Sequence, residues 1–352
     1  MGSNDTNTNP MGTDGFEFIE YTAPDTAPLE ALFQQMGFHA VGRHRSKDVL
    51  LYRQGNIHFI LNREPESFAQ AFAKLHGPCA CAFAIRVKDA ALAYRRALSL
   101  GAQEFRGQVG PMELNIPAIR GIGDSLLYLV DRYGEQSIYD VDFIALPQDE
   151  KKSAGLLEID HLTHNVQQGR MDLWSQFYEK LFHFHEIRYF DIQGKTTGLH
   201  SRAMTSACGK IRIPINEPTD HKSQIQEYLE AYQGEGIQHI AMNTANIYET
   251  VEILRSNGMA FMDVPNSYYD AVDARVPGHR EALDRLKADK ILIDGDPQHG
   301  QGLLLQIFTQ TLIGPIFFEI IQRKGNDGFG EGNFQALFEA IERDQEQRGV
   351  FK

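Results

Sequence analysis

The chain repeats itself, and the repeat limits which folds it can adopt. Phe16–Thr22 (FEFIEYT) and Leu157–Thr163 (LEIDHLT) both alternate as strands do. Each precedes a helical segment with a one-sided apolar pattern: Leu29, Leu32, Phe33 and Met36 in the first, Leu173, Phe177 and Leu181 in the second. Ala82–Val87 (AFAIRV) then matches His239–Thr244 (HIAMNT), and each leads into a helix closed by a glycine, Gly101 or Gly258. Leu126–Val130 (LLYLV) is paired with Leu304–Phe308 (LLQIF). Strand–helix–strand–strand–strand units, doubled within a domain and again across the chain, predict an α+β fold. It has two tandem domains of repeated βαβββ modules, whose open, curled mixed sheets surround a cavity. The expected boundaries are a flexible tail over 1–14, an N-terminal domain over 15–147, a linker over 148–155 and a C-terminal catalytic domain over 156–352. A long insertion separates Phe261 from Gly302.

Only the second copy carries a chemical constellation. His161, His239 and Glu319 stand on strand-like segments at nearly even spacing, and the ungapped pairing maps them to Glu20, Ala82 and Val141. Two imidazoles and one carboxylate on one face of a metal leave positions open for substrate and O₂, which suits Fe(II), with Mn(II) or Zn(II) behind it. Glu319 sits among Phe317, Phe318, Ile320 and Ile321. A carboxylate there needs a partner, either a metal or a basic side chain. Alternation puts His161 on a face with Ile159 and Thr163, and turns His164 the other way. Likewise Gln306 shares a face with Phe308, and Glu319 with Phe317, giving an aromatic wall with a few amides.

Composition removes several function classes. A formal charge of −13 argues against general nucleic-acid binding, which needs a basic face. No apolar run approaches the ~18–20 residues of a membrane span. Three cysteines, Cys79, Cys81 and Cys208, make an odd count without metal spacing, which fits a reducing cytoplasm. The glycine-rich Gly325–Gly332 run follows no strand–turn–helix pattern and lacks a P-loop lysine. After it, Phe334, Leu337, Phe338 and Ile341 recur at helical spacing, which predicts an apolar helix face that closes over the cavity as a lid.

With these residues in place, the chain resembles the 4-hydroxyphenylpyruvate dioxygenases of the vicinal oxygen chelate superfamily over nearly its whole length. The likeness is carried by Asp160-His-Leu-Thr-His-Asn165, Ile213-Pro-Ile-Asn-Glu-Pro218, Lys222-Ser-Gln-Ile-Gln226, Gly236-Ile-Gln-His239, Leu305-Gln-Ile-Phe-Thr309, Phe318-Glu-Ile-Ile-Gln-Arg323 and Gly328-Phe-Gly-Glu-Gly-Asn-Phe334. The resemblance implies one Fe(II) per chain on His161, His239 and Glu319. It also implies a substrate pocket from Ser201, Pro214, Asn216, Gln224, Gln238, Gln306, Phe308, Phe317, Phe329, Asn333, Phe334, Leu337 and Phe338. The implied reaction turns 4-hydroxyphenylpyruvate and O₂ into homogentisate and CO₂ in tyrosine and phenylalanine catabolism, in a cytoplasmic homo-oligomer, dimer or tetramer. Hydroxymandelate synthase is the nearest alternative, although Pro214 and Phe334 look like the homogentisate-forming type. A non-catalytic binding protein on the same fold is the other. Strict alternation sets Gln238 and His239 on opposite faces, so both can line one site only if the strand twists or bulges there.

Overall fold

The computed structural model describes residues 8–147, 153–193 and 198–336. The first sheet contains β1 (Phe16–Thr22), β2 (His39–His44), β3 (Val49–Gln54), β4 (Ile57–Asn62), β5 (Cys79–Arg86), β6 (Glu104–Phe105), β7 (Ala118–Arg120), β8 (Leu126–Val130) and β9 (Phe143–Ala145). Their spatial order is β6-β7-β8-β5-β1-β4-β3-β2-β9. The second contains β10 (Leu156–Asn165), β11 (His185–Gln193), β12 (Gly198–Thr205), β13 (Arg212–Pro218), β14 (Gly236–Thr244), β15 (Leu292–Gly295), β16 (Leu303–Phe308) and β17 (Phe317–Lys324). Here the order is β11-β12-β13-β10-β14-β17-β16-β15. Each sheet is built on a central antiparallel pair, β1 with β5 and β10 with β14. Parallel neighbours flank each pair: β4 and β8 in the first sheet, β13 and β17 in the second. The expected doubled βαβββ layout is therefore present in both halves.

Corresponding helices are built by corresponding signals. Asp89 and Asn246 cap the helices Ala90–Ser99 and Ile247–Ser256 by accepting from the backbone N–H of Leu92 and Glu249. Both helices end before a left-handed glycine, Gly101 at φ +93° and Gly258 at φ +90°. The helix Ala27–Gln35 buries Leu29, Leu32 and Phe33 as expected. Its counterpart, Met171–Phe182, does not bury the expected stripe. It turns Met171, Trp174, Tyr178, Leu181 and Phe182 inward and leaves Leu173 51% exposed. Two large side chains with polar tips decide that rotation: Trp174 Nε1 donates to Glu235, and the Tyr178 hydroxyl meets His164 Nε2 at 2.7 Å.

One apolar core runs through both halves. Phe59 of β4 faces Phe318 of β17 with ring centroids 6.3 Å apart, and Phe83 of β5 faces His164 of β10 at 6.0 Å. The expected linker falls partly on residues 148–152, outside those described. Beyond it, the Gln54 Oε1 accepts from Ser153 Oγ and Ala154 N, which ties the second half to the end of β3. Of the expected tail, residues 1–7 lie outside those described. Met11 is buried, and Asn9 Oδ1 accepts from the Thr13 backbone N–H, so residues 9–14 pack on the first sheet's core. Residues 337–352, with Leu337, Phe338 and Ile341, lie outside the described residues; residues 331–336 are helical.

Strand register corrects the ungapped repeat alignment. Glu20 pairs with Ala82 as Thr163 pairs with His239, and both pairs are followed by a bulge at the same place. With Ala82 matched to His239, Ala84 pairs Tyr128 as Ala241 pairs Glu319. The first-half counterparts of His161, His239 and Glu319 are therefore Phe18, Ala82 and Tyr128, and not Glu20, Ala82 and Val141. The error came from pairing two apolar runs by residue type. β8 corresponds to β17, and β16 to β7, because hairpin lengths differ between the halves.

The turn between β7 and β8 packs on the second half. Gly123 adopts φ +55°, and a Cβ there would overlap the backbone carbonyl oxygen of Glu235. Gly123→Ala should cost the left-handed penalty of about 1–2 kcal/mol plus the displacement of that contact. Gly134, at φ +86° with open space around its Cβ position, should lose only the first part as Ala. Urea denaturation of the two variants checks the difference.

Candidate metal centre

β10, β14 and β17 lie side by side, and their register brings three donors together. His161 Nε2 lies 3.1 Å from Glu319 Oε2, His239 Nε2 lies 3.3 Å from the same oxygen, and the two Nε2 atoms are 3.3 Å apart. All three side chains are buried. Donors held about 2.1 Å from one ion stand about 3.0 Å apart at right angles and about 3.4 Å apart at tetrahedral angles. The observed spacings fall between, so the three atoms fit around a single ion. No other group of this kind occurs among the described residues.

Each imidazole is oriented from behind by the residue just before it. Asp160 Oδ1 accepts from His161 Nδ1 at 2.8 Å, and Gln238 Oε1 accepts from His239 Nδ1 at 3.0 Å. These bonds place the proton on Nδ1 and present the Nε2 lone pair to the centre. Neighbours in a regular strand point to opposite faces, and two bulges remove that obstacle. Ile159 pairs Met242 while His161 pairs Ala241, leaving Asp160 as the extra residue; Thr163 pairs His239 while His164 pairs Ile237, leaving Gln238 extra. The bulge that Gln238 and His239 require is present.

Asp160 is the hub of the electrostatics. Arg323 meets it in a two-point pair, Nε to Oδ2 at 2.7 Å and Nη2 to Oδ1 at 2.8 Å. Burial alone would raise the Asp160 pKa, but Arg323 and His161 hold it far below the usual carboxylate range. Glu319 is likewise held down, to about 2, against burial, by the two imidazoles. His161 is raised despite burial because Glu319 and Asp160 face it, whereas His239 is lowered by burial that Glu319 only partly offsets. Of the two imidazoles, His161 is the one whose surroundings favour a second proton, which a bound metal would displace.

Glu319 is divided in its use. Its Oε1 accepts from Gln306 Nε2 at 2.9 Å, which leaves Oε2 for the imidazoles. Gln306 Oε1 in turn accepts from Asn333 Nδ2 at 2.7 Å, and Asn333 Oδ1 accepts from the Tyr268 hydroxyl at 2.6 Å. Arg275 Nη2 donates to the same hydroxyl at 2.7 Å. Tyr268 and Arg275 come from the long insertion, whose sequence holds no motif that would have marked them. Nor does any motif assign a role to Asp160, to Arg323 or to Thr163, whose hydroxyl is 3.0 Å from His239 Nε2. Buried charge beside a candidate ligand was the available signal for Asp160.

The aromatic wall is where alternation put it. Phe317 stacks on His239 with centroids 4.9 Å apart, Phe308 meets His239 edge-on at 6.1 Å, and Phe329 meets His161 at 5.4 Å. Phe334 lies 6.5 Å from Phe308. Ser201 pairs with Asn216 across β12 and β13, and Ala203 pairs with Pro214, so Ser201, Pro214 and Asn216 share one buried patch beside β10. Gln224 stands, exposed, in the first turn of the helix Gln224–Tyr232.

Comparison with known proteins agrees with this geometry. Residues 7–144 match the family model described as hydroxyphenylpyruvate dioxygenase, N-terminal, and residues 158–272 match that of the glyoxalase/bleomycin resistance protein/dioxygenase superfamily. The chain is 62% identical to hemolysin VllY of Vibrio vulnificus over 97% of its own length and 98% of that protein's. It is 59% identical to 4-hydroxyphenylpyruvate dioxygenase of Pseudomonas aeruginosa, covering 97% of each. Among solved structures, a variant of 4-hydroxymandelate synthase from Streptomyces coelicolor superposes with a TM-score of 0.82 at 24% identity, over 95% of this chain and all of that one, which speaks to the fold alone. Near-complete coverage at such identity, on a fold with three convergent donors, establishes that this chain belongs to the 4-hydroxyphenylpyruvate dioxygenase family of metal-dependent enzymes.

Proposed function

We propose that the chain binds one Fe(II) through His161, His239 and Glu319 and converts 4-hydroxyphenylpyruvate and O₂ to homogentisate and CO₂. The observation that carries this reading is the set of three buried donors spaced for one ion, in a chain 59% identical to a 4-hydroxyphenylpyruvate dioxygenase. Two imidazoles and one carboxylate oxygen leave three positions of a six-coordinate ion, enough for the carboxylate and keto oxygens of a 2-oxo acid and for O₂. When bound, Fe(II) would supply O₂ activation and polarisation of the keto acid.

The chain's own residues do the positioning. Asp160 and Gln238 fix both Nε2 lone pairs, and Gln306 holds Glu319 to one donor oxygen. Two neutral imidazoles and one carboxylate leave a divalent ion with net positive charge, which favours an anionic substrate. Phe308 and Phe317 offer aromatic surfaces to the ring, and Ser201 and Asn216 offer polar atoms on the neighbouring strands. Phe329, tied back through Arg323, shields His161 from water.

O₂ uptake with 4-hydroxyphenylpyruvate should depend on added Fe(II), stop on chelation, and yield homogentisate. Hydroxymandelate as main product would replace this reading with the synthase. Absence of both iron and uptake would favour a binding protein. Replacing His239 with Ala should abolish turnover while the circular dichroism spectrum is kept; near-parental turnover with stoichiometric iron would remove His239 from the ligand set.

Asp160→Asn tests the support behind His161. It leaves the largely buried Arg323 without its counter-ion, so folding stability should fall by about 3 kcal/mol, the low end for a broken buried pair because Asn still accepts a hydrogen bond. Iron affinity should fall about 10–100-fold, read by titration with a competing chelator.

A further inference from the structure

We propose that the concave face of the first sheet is a second binding site, specific for an ammonium group carried on a single aromatic ring. The argument starts from register. Matching β1, β4, β3 and β8 to β10, β13, β12 and β17 sets Phe18 at the position of His161, Glu20 at Thr163, Val49 at Ser201, Ile60 at Pro214 and Tyr128 at Glu319. These five first-half residues line a cavity of about 170 Å³. For scale, a cavity of about 150 Å³ with apolar walls admits benzene. The metal donors are gone, yet the space has not been filled by core side chains.

The lining defines the ligand. The Phe18 and Tyr128 rings stand 5.5 Å apart at 48°, and Val49 and Ile60 add aliphatic wall. Among these groups lies Glu20, 7% exposed. Its Oε1 accepts from Asn62 Nδ2 at 2.7 Å, and among the described residues its Oε2 has no hydrogen-bond partner. The other charges around the cavity have partners of their own, although Lys47 also acts on Glu20. Lys47 Nζ pairs with Glu113 at 2.8 Å, and Arg45 stands 3.7 Å from Asp142. His44 is pushed below its ordinary value, chiefly by burial. Burial raises the Glu20 pKa, against the Asn62 hydrogen bond and the Lys47 charge that draw it down. A ligand ammonium would stabilise the carboxylate, fill the free Oε2 and lie against two aromatic faces. An anion gains none of these.

The site is independent of the metal centre, so its test does not depend on the reaction assigned above. Iron-loaded protein is titrated calorimetrically with 2-phenylethylammonium, and with phenylacetate as the anionic control of the same size. One ammonium site is expected, with phenylacetate at least about tenfold weaker there. Glu20→Gln should weaken the amine about tenfold or more with no change in turnover, and Ile60→Phe, which fills the cavity from the strand position beside Glu20, should weaken it without removing the charge. Equal affinity for amine and acid, or parental amine affinity in both variants, would overturn the proposal. No binding at millimolar amine would do the same.

Discussion

The structure of the metal centre depends on one buried ion pair, Asp160 with Arg323. It joins residues 163 positions apart, from the two strands that flank β14, and so closes the three-strand platform that carries all the donors. Such a pair is not a cheap source of stability, since both groups lose water and hydrophobic replacements of equal volume often do as well. Its value here is directional. Asp160 spends Oδ1 on His161 as well as on Arg323, and Arg323 donates onward to the carbonyls of Asn326 and Gly328. One guanidinium thus fixes a ligand tautomer and anchors the glycine-rich segment that brings Phe329 over that ligand.

The two halves share the device that makes this possible. Both central strand pairs carry bulges at matched places, one just before each of the two donor positions they hold. In the second half the extra residues are Asp160 and Gln238, each bonded to the imidazole that follows. In the first half the matched residues are Glu17, salt-bridged to Arg86, and Cys81, whose thiol meets the Glu20 carbonyl. The backbone geometry is common property, and the chemistry is a matter of which side chains stand on it.

That division explains what could be read from the sequence. Alternation correctly grouped His161 with Thr163, Gln306 with Phe308, and Phe317 with Glu319, because those strand segments are regular. It failed at Asp160 and Gln238, because a bulge has no local signature in residue type. The repeat was visible as a pattern, but its register was not. LLYLV resembles LLQIF more than FFEII, and only hydrogen-bonded pairing shows that β8 answers to β17. Following Leu173, Phe177 and Leu181 misplaced the buried face of Met171–Phe182, since Trp174 and Tyr178 are held by Glu235 and His164 on other segments.

The insertion between Phe261 and Gly302 finds its reason in the same terms. Glu319 could offer a metal two oxygens, and a bidentate carboxylate would take a position that the reaction needs. Gln306 prevents this by occupying Oε1, but a buried primary amide is itself free to turn over unless its carbonyl end is also held. Asn333 holds it, and Asn333 is held by Tyr268, whose hydroxyl accepts from the Ile293 backbone N–H and from Arg275. At Gly330 a Cβ would collide with the Gln306 carbonyl oxygen, so the backbone closes over that amide. Four polar side chains and one glycine, drawn from three separate segments, therefore serve to keep one carboxylate oxygen occupied and the other available.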